Sequence, residues 1–210
     1  MSTAAPPPSF TSQPVRGQPT WHVAARYPFQ GDWTADEFFQ EFGDDRGYEF
    51  VDGVVEKLPV PTKTHQRIAK WFVYRMDEAI SARSIPGEAF LMGFRTYTTK
   101  EKYREPDALF LFDERESSDR NATGMDIAVE VVSDAPSDRE RDLVTKRAEY
   151  AAAGVPEYWI VDAREAAVFR LSLEGGEYAE RVGRAGDVLE SAVLPGLAVD
   201  VAECLAAGGA

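Results

Sequence analysis

The stretch from residue 125 to residue 163 most constrains the fold, because it reads in turn as strand, helix and strand. Its first part, MDIAVEVVS, is almost continuously apolar, as expected of a strand covered on both faces. A helix follows to Ala153, with Ser137 or Asp138 predicted as its N-cap and Gly154 just past its end. EYWIVDA then predicts a second strand. This order predicts an α/β domain with a mixed central sheet flanked by helices.

Shorter elements precede this unit. WTADEFFQEFGDDRG predicts a helix with a capping box at Thr34 and Glu37, and YEFVDGVVEKLPV predicts a hairpin at Asp52-Gly53. Apolar residues recur at intervals of three and four in TKTHQRIAKWFVYRMDEAISAR, which predicts a long helix. EAFLMGFRTYTT and EPDALFLFDE are predicted strands, and residues 114–124 are polar enough to predict a loop.

The two ends of the chain differ in character. AVFRLSLEGGEYAERV predicts two strands around Gly175-Gly176, and DVLESAVLPGLAVDVAECLA predicts a final strand pair or a short helix. Residues 1–30 are rich in Pro, Ser and Thr and lack the apolar segment of a secretory signal, so we expect a flexible leader there. Residues 31–210 then form one domain, since no internal repeat divides them.

Composition narrows the functional classes. The net charge of -13 argues against a protein that binds long nucleic-acid duplexes through many phosphate contacts. Any binding of nucleic acid must therefore be confined to a local site, be assisted by a metal ion, or involve a second subunit. The single Cys204 excludes an intramolecular disulfide framework and a Cys-based zinc site, which indicates a reducing, cytoplasmic setting. No apolar run approaches the roughly 18 residues of a membrane span, so no membrane partner is expected.

Two carboxylates interrupt the apolar strands. Asp107 opens PDALFLF, and Glu130 lies inside AVEVV. A buried carboxylate is costly unless it is paired, hydrogen-bonded or bound to a metal. Each acid therefore either pairs with a cation or reaches water at a strand end, or the two converge on one metal ion. Their oxygen ligands favour magnesium, manganese or calcium.

The predicted helix after Glu130 carries a polar stripe. Asp142, Lys146 and Tyr150 are spaced i, i+4, i+8 and share one face. Asp142 and Lys146 form either a surface ion pair or part of a site in which the ammonium group faces the carboxylates. In the second case Lys146 would orient a water or stabilise charge on a phosphate. The spacing alone does not decide between the surface ion pair and the site that faces the carboxylates.

Several segments resemble the Uma-type family of putative restriction endonucleases, within the PD-(D/E)xK nuclease superfamily. They are EPDALFLF, AVEVVSDAPSDRERDLVTKRAEYAAAGVPEYWIVDA, the hairpin YEFVDGVVEKLP and the helix start THQRIAKW. The resemblance runs from about residue 34 to about residue 201, and its specificity lies in the order and spacing of the motifs. It implies a restriction-endonuclease-like core, with the N-terminal hairpin and the C-terminal strands as additions.

The resemblance assigns the catalytic residues. Asp107 matches the PD acid and Glu130 the second acid. The superfamily lysine normally stands two residues later, where this chain has Val132. A lysine on the following helix takes its place in the Uma-type pattern, and Lys146 matches it. The implied cofactor is Mg²⁺ or Mn²⁺, bound by Asp107, Glu130 and the backbone carbonyl of Val131.

The resemblance also indicates supporting residues. Glu49 matches the family's early acid, which would complete the metal site, and His65 matches its helix-start histidine. His65 is expected to be either a hydrogen-bond donor behind the metal ligands, or a helix cap or surface group. Asp142 and Tyr150 are candidate supports, and Tyr150 and Tyr158 are expected mainly to pack near the site.

Three functions follow as alternatives. The first is a metal-dependent endonuclease acting on nucleic acid, DNA rather than RNA, for which a homodimer would allow both strands to be cut. The second is a catalytically silent binding or regulatory module of the same fold, which the acidic charge and Val132 favour. The third is an interaction domain without metal affinity, in which Arg95, Arg104 or Arg139 neutralises the acids.

Overall fold

The computed structural model describes residues 27–133 and 135–209. The leader predicted over residues 1–30 lies almost entirely outside these ranges, so its boundary with the domain stays a prediction. The helical segments are α1 (Ala35–Phe42), α2 (Lys63–Arg83), α3 (Pro136–Glu140), a π-helical turn (Arg141–Thr145), α4 (Lys146–Ala152) and α5 (Val201–Ala207).

Within the described residues, the strands fall into three sheets. Their bounds are β1 (Tyr48–Val51), β2 (Val54–Lys57), β3 (Gly87–Leu91), β4 (Arg95–Thr99), β5 (Lys102–Arg104), β6 (Ala108–Phe112), β7 (Asn121–Thr123), β8 (Ile127–Val131), β9 (Glu157–Asp162), β10 (Ala167–Glu174), β11 (Glu177–Gly183), β12 (Val188–Glu190) and β13 (Ala198–Asp200). A six-stranded sheet has the order β11-β10-β9-β8-β6-β3, a five-stranded sheet the order β2-β1-β5-β4-β7, and β12 pairs with β13.

The six-stranded sheet carries the main core. Its β8 and β9 are parallel and joined through the helices α3 and α4, whereas its other neighbouring strands are antiparallel. Every residue of β8 and β9 is buried, because α2 covers one face of the sheet and α4 packs on the other. The predicted α/β fold with a mixed central sheet is therefore confirmed.

The pleat of β8 divides its side chains between two packing layers. Val129 and Val131 pack with Phe72 of α2 and Trp159 of β9, whereas Ala128 packs with Tyr150 of α4. Residues of a strand alternate between its two faces, so Glu130 points toward α4 rather than toward α2. This alternation decides which helix can supply a partner for the carboxylate.

The five-stranded sheet packs against α1 through aromatic side chains. Trp33, Phe38, Phe50 and Tyr103 are buried together, and the rings of Phe38 and Phe50 stack with their centroids 5.3 Å apart. Strand β1 of this sheet carries Glu49, so the hairpin predicted as an addition contributes to the interior of the molecule.

Some elements differ from the sequence predictions. EAFLMGFRTYTT is not one strand but two in different sheets, because the chain turns at Gly93, where φ is +94°. The predicted loop at 114–124 contains β7, which pairs in parallel with β4. The end of the chain forms a strand pair and a helix, rather than only one of them.

The N-cap predicted for the helix after β8 is wrong. The cap is Ala135, which makes no side-chain hydrogen bond, and Pro136 takes the first helical position. Proline is suited to that position because its missing N–H would be unsatisfied there in any case. The capping box at Thr34 and Glu37 is confirmed.

Substitution of Gly53 by alanine is expected to lower the free energy of unfolding by about 2–4 kcal/mol, since it combines left-handed strain with a clash. In the predicted and confirmed hairpin, Asp52 and Gly53 have φ of 47° and 83°. A Cβ on Gly53 would lie 2.5 Å from the carbonyl oxygen of Gly31. Gly175→Ala is the matched control, because φ there is 62° but nothing lies within 4 Å of the added Cβ. Urea unfolding should show the smaller loss, about 1 kcal/mol, for Gly175→Ala; equal losses would contradict the clash.

Candidate active site

Asp107 and Glu130 come together because β6 and β8 are antiparallel neighbours. Asp107 directly precedes β6, and the next residue, Ala108, pairs with Val129. The backbone N–H of Val131 donates to Asp107 Oδ2 at 2.7 Å, which ties this carboxylate to the end of β8. Asp107, Glu130 and Val131 line one cavity of about 320 Å³.

Lys146 joins this cavity from α4. Its Nζ lies 2.7 Å from Glu130 Oε1, 3.3 Å from Glu49 Oε1 and 3.8 Å from Asp142 Oδ1. The lysine side chain is only 2% exposed, so this is a buried cluster and not a surface pair. The structure places the ammonium group of Lys146 against the carboxylates, as in the second of the two hypotheses for the polar stripe.

The π-helical turn Arg141–Thr145 contains Asp142 and ends directly before Lys146, and the sequence did not predict it. The backbone N–H of Lys146 donates to the carbonyl of Arg141, five residues earlier. Such a turn holds one residue more than an α-helical turn and changes which side chains face the sheet after it. Sequence spacing carries no signal for this turn, because RDLVT continues an ordinary helical pattern.

Both tyrosines near the site use their hydroxyl groups. Tyr150 donates to Glu130 Oε1 at 3.0 Å, and Tyr158 donates to the backbone carbonyl of Asp142 at 2.8 Å. Their rings meet edge to face, with centroids 5.0 Å apart. Packing was expected for both residues, and Tyr150 in addition satisfies part of the buried carboxylate.

Glu49 lies behind Lys146, and the cavity lining does not include it. Its Oε1 accepts from the backbone N–H of Glu105 at 2.9 Å, and its Oε2 accepts from Arg104 at 2.7 Å. Burial alone would raise the pKa of Glu49, but the charges of Lys146 and Arg104 hold it below its usual value. The carboxylate is therefore ionised and fully engaged with protein donors.

Arg104 is the main supporting residue whose role the sequence analysis missed. It is 1% exposed and donates to Glu49, Glu56 and Glu149, with the two outer acids on β2 and α4. The sequence raised Arg104 only as a competitor for the acids. Arg104 stands shortly before Pro106-Asp107, and this position was the sequence feature that could have drawn attention to it. Nothing in the surrounding residues indicates that Arg104 contacts three carboxylates.

His65 lies against Asp107 rather than at the surface. Its Nε2 is 2.8 Å from Asp107 Oδ1, and the two side chains are 11% and 14% exposed. The contact lacks the alignment of a regular hydrogen bond, which leaves a buried ring nitrogen without a full partner. The backbone N–H of His65 donates to Thr62, so the helix cap is Thr62 itself.

The arginines that could have neutralised the acids are engaged elsewhere. Arg95 pairs with Glu105, Arg104 with Glu49, and Arg139 with Asp162. The groups that contact Glu130 and Asp107 are instead the ammonium group of Lys146 and the imidazole ring of His65.

The electrostatics of the cluster favour an additional cation. Burial raises the pKa of Glu130 well above its usual value, and nearby Asp107 and Asp142 raise it further, although Lys146 opposes them. Burial likewise raises the pKa of Asp142. Arg104 and Arg141 also pair with Glu49 and Asp142, so Glu130 and Asp107 are the carboxylates whose repulsion a bound cation would reduce.

The donor set limits which cation fits. Within residues 27–133 and 135–209, no three His, Cys, Asp or Glu side chains are arranged to hold a metal together. Four carboxylates line the cavity, but Glu105 is paired with Arg95 and Asp142 with Arg141, which leaves Asp107 and Glu130 beside the peptide group of Val131. That set suits magnesium, which keeps several waters and takes one or two carboxylates plus substrate phosphates. It does not suit a cation that requires a complete protein cage.

Comparisons with known proteins agree with this fold. The crystal structure of a putative nuclease belonging to DUF820 from Anabaena variabilis matches with a TM-score of 0.67 and 17% identity, over 84% of this chain and 99% of that one. A comparison with curated proteins gives no significant match. Among the helices that the structure describes, none is long and apolar enough to cross a membrane.

A family model with the description "Uma2: Putative restriction endonuclease" matches residues 35–202. The matched range includes these candidate site residues on strands and helices: Glu49 on β1, His65 on α2, Glu130 on β8 and Lys146 on α4. It also includes Asp107, which directly precedes β6. Because it covers most of the chain, this protein belongs to the Uma2 family.

Proposed function

We propose that this chain is a metal-dependent endonuclease that hydrolyses phosphodiester bonds of DNA. The observation that carries the proposal is the meeting of Asp107, Glu130 and Lys146 at one cavity, from three elements far apart in the sequence. The family description and the name of the structural neighbour both support a nuclease-like function.

The proposed metal is Mg²⁺ or Mn²⁺, since restriction-endonuclease-like families generally use divalent cations. Asp107, Glu130 and the carbonyl of Val131 would hold it. When bound, such a cation polarises a phosphate and lowers the pKa of a coordinated water. His65 would keep Asp107 oriented from the side opposite Val131, which donates to the other carboxylate oxygen.

Lys146 would act as a fixed positive charge. Burial alone would lower the pKa of Lys146, but Glu130 and Glu49 outweigh it and hold the pKa above its usual value. The side chain is therefore charged at neutral pH and is no general base. It would orient the attacking water by a hydrogen bond and stabilise the charge that develops on the phosphate.

The test is cleavage of supercoiled plasmid by the purified full chain, with Mg²⁺, with Mn²⁺ and with EDTA. We expect nicking or linearisation only with metal, and a loss of at least about 100-fold for Asp107→Ala. Asp113→Ala is the matched control, because Asp113 is exposed at the other end of β6. Metal-independent cleavage, or equal rates for wild type and Asp107→Ala, would refute the assignment.

A silent binding module of the same fold is the second candidate. Glu130 Oε1 already accepts hydrogen bonds from both Lys146 and Tyr150, so protein groups alone satisfy it in part. This candidate predicts DNA binding without cleavage under any metal condition. Calorimetric titration with Mn²⁺ separates the two, because only the nuclease requires binding that Asp107→Ala abolishes.

A further inference from the structure

The cavity that contains the carboxylates has a second, apolar wall. It is formed by the segment Leu58–Pro61, which links β2 to α2, and by Met92. Val60 at the tip of this segment is 91% exposed. A large apolar group that is this exposed among the described residues is available to a ligand at the mouth of the cavity.

The apolar segment is held in a defined shape. Pro59 and Pro61 fix their own φ angles near -65° and restrict Leu58 and Val60, the residues before them, to extended conformations. Thr62 continues the extended backbone and caps α2. The wall is therefore rigid, and binding to it requires little ordering of the chain.

Cations lie at the mouth of the same cavity. Arg46 and Lys57 are exposed there, and neither forms an ion pair with any residue in the described ranges. Deeper in the cavity, Lys146 and Arg141 are paired with acids. In a chain of net charge -13, Arg46 and Lys57 are thus free to bind phosphates beside the carboxylate site.

We propose that this cavity receives one unpaired nucleotide, so that the substrate is single-stranded or locally unpaired DNA. One phosphate would lie at the divalent cation that Asp107 and Glu130 would hold, the neighbouring phosphates at Arg46 and Lys57, and the base against the wall around Val60. A base in a continuous duplex is stacked on both faces and cannot meet that wall. The cavity volume of about 320 Å³ is at the small end of ligand pockets, which suits a single nucleotide.

The acidic surface supports the same substrate class. Binding to a long duplex depends on many phosphate contacts and the release of their counterions. A single strand bound through Arg46, Lys57 and one base would need only a few phosphate contacts. This inference rests on the proposed function for the position of the scissile phosphate, but the binding preference is measurable without hydrolysis.

The test measures fluorescence anisotropy of a labelled single-stranded oligonucleotide and its matched duplex, with Ca²⁺ and with EDTA. We expect the single strand to bind at least about tenfold more tightly. Val60→Asp should weaken single-strand binding about fivefold, whereas Val60→Phe should strengthen it by adding stacking area. Val188→Asp, at a 55% exposed valine outside the cavity, controls for the added charge.

The cationic positions are tested by salt dependence. Lys57→Ala should reduce the slope of log affinity against log salt by about 0.7, as expected for one lost contact to single-stranded DNA. Lys100→Ala, at another exposed lysine outside the cavity, should leave the slope unchanged. Equal affinity for duplex and single strand, or no response to either Val60 substitution, would overturn the inference.

These results are distinguishable from a failure of the proposed function. Efficient metal-dependent cleavage of intact duplex, with no preference for single strands, would leave hydrolysis standing and refute the unpaired substrate. Single-strand binding that depends on Val60, with no cleavage in any metal, would support the inference and refute the nuclease.

Discussion

Lys146→Met is expected to reduce metal-dependent cleavage about 100- to 1,000-fold, the effect of removing a group that stabilises transition-state charge. Methionine keeps most of the volume of the lysine stem but cannot orient a water or neutralise a phosphate. The measurement is the initial rate of plasmid cleavage at saturating Mg²⁺. Lys102→Met is the matched control, since Lys102 pairs with exposed Asp52 outside the cavity.

The same substitution has a stability consequence that must be measured beside the rate. It leaves Glu130, Glu49 and Asp142 buried without their shared ammonium group. Removing one partner of a buried ion pair costs about 3–5 kcal/mol, although protonation of a carboxylate would reduce this. Rates should therefore be compared well below the Tm of the variant. A folded Lys146→Met protein that cleaves at the wild-type rate would exclude Lys146 from catalysis.

Arg104→Met is expected to lower the Tm by on the order of 10 °C, because the buried carboxylate of Glu49 loses its arginine partner. The size of the Tm shift follows from the free-energy loss and the length of the chain. Arg104 is fully enclosed and bridges Glu49, Glu56 and Glu149, which lie on three different elements. Its loss leaves the fully buried Glu49 with Lys146 as its remaining ion-pair partner among the described residues. Differential scanning calorimetry measures the shift directly.

Two further variants separate this effect from a general sensitivity to arginine loss. Arg120→Met removes a pair with Asp44 whose side chains are 74% and 88% exposed, and its Tm should stay within about 2 °C of wild type. Adding Glu49→Gln to Arg104→Met should recover part of the lost stability, since position 49 then carries no buried charge that has lost its arginine partner. An Arg104→Met protein as stable as Arg120→Met would contradict the role of the network.

The acids were detectable in the sequence because they violate a local expectation. Glu130 stands out inside an apolar strand, and a carboxylate there needs a partner. Lys146 stood out only with the family resemblance, since an i, i+4 pair with Asp142 is ordinary on any exposed helix. The structure brings these side chains and Asp107 to one cavity, and their catalytic roles stay proposals until the variants are assayed.

Other features were beyond sequence reasoning for identifiable reasons. The π-helical turn at 141–145 depends on packing over the sheet and leaves no mark in hydrophobic periodicity. The division of EAFLMGFRTYTT between two sheets at Gly93 depends on which partner strands are available. The partners of Arg104 are 45 to 55 residues away along the chain, so no local pattern could indicate them.

The sequence by itself determined the α/β class, the order of most elements and the presence of two acids in apolar strands, because periodicity, turn residues and burial costs act locally. Only the tertiary structure decided that Glu49 and Arg104 stand behind Lys146, that His65 faces Asp107, and that an apolar wall meets the acids across one cavity. Those contacts depend on the pairing of distant strands and the phase of a helix, and neither is specified by the spacing of residues along the chain.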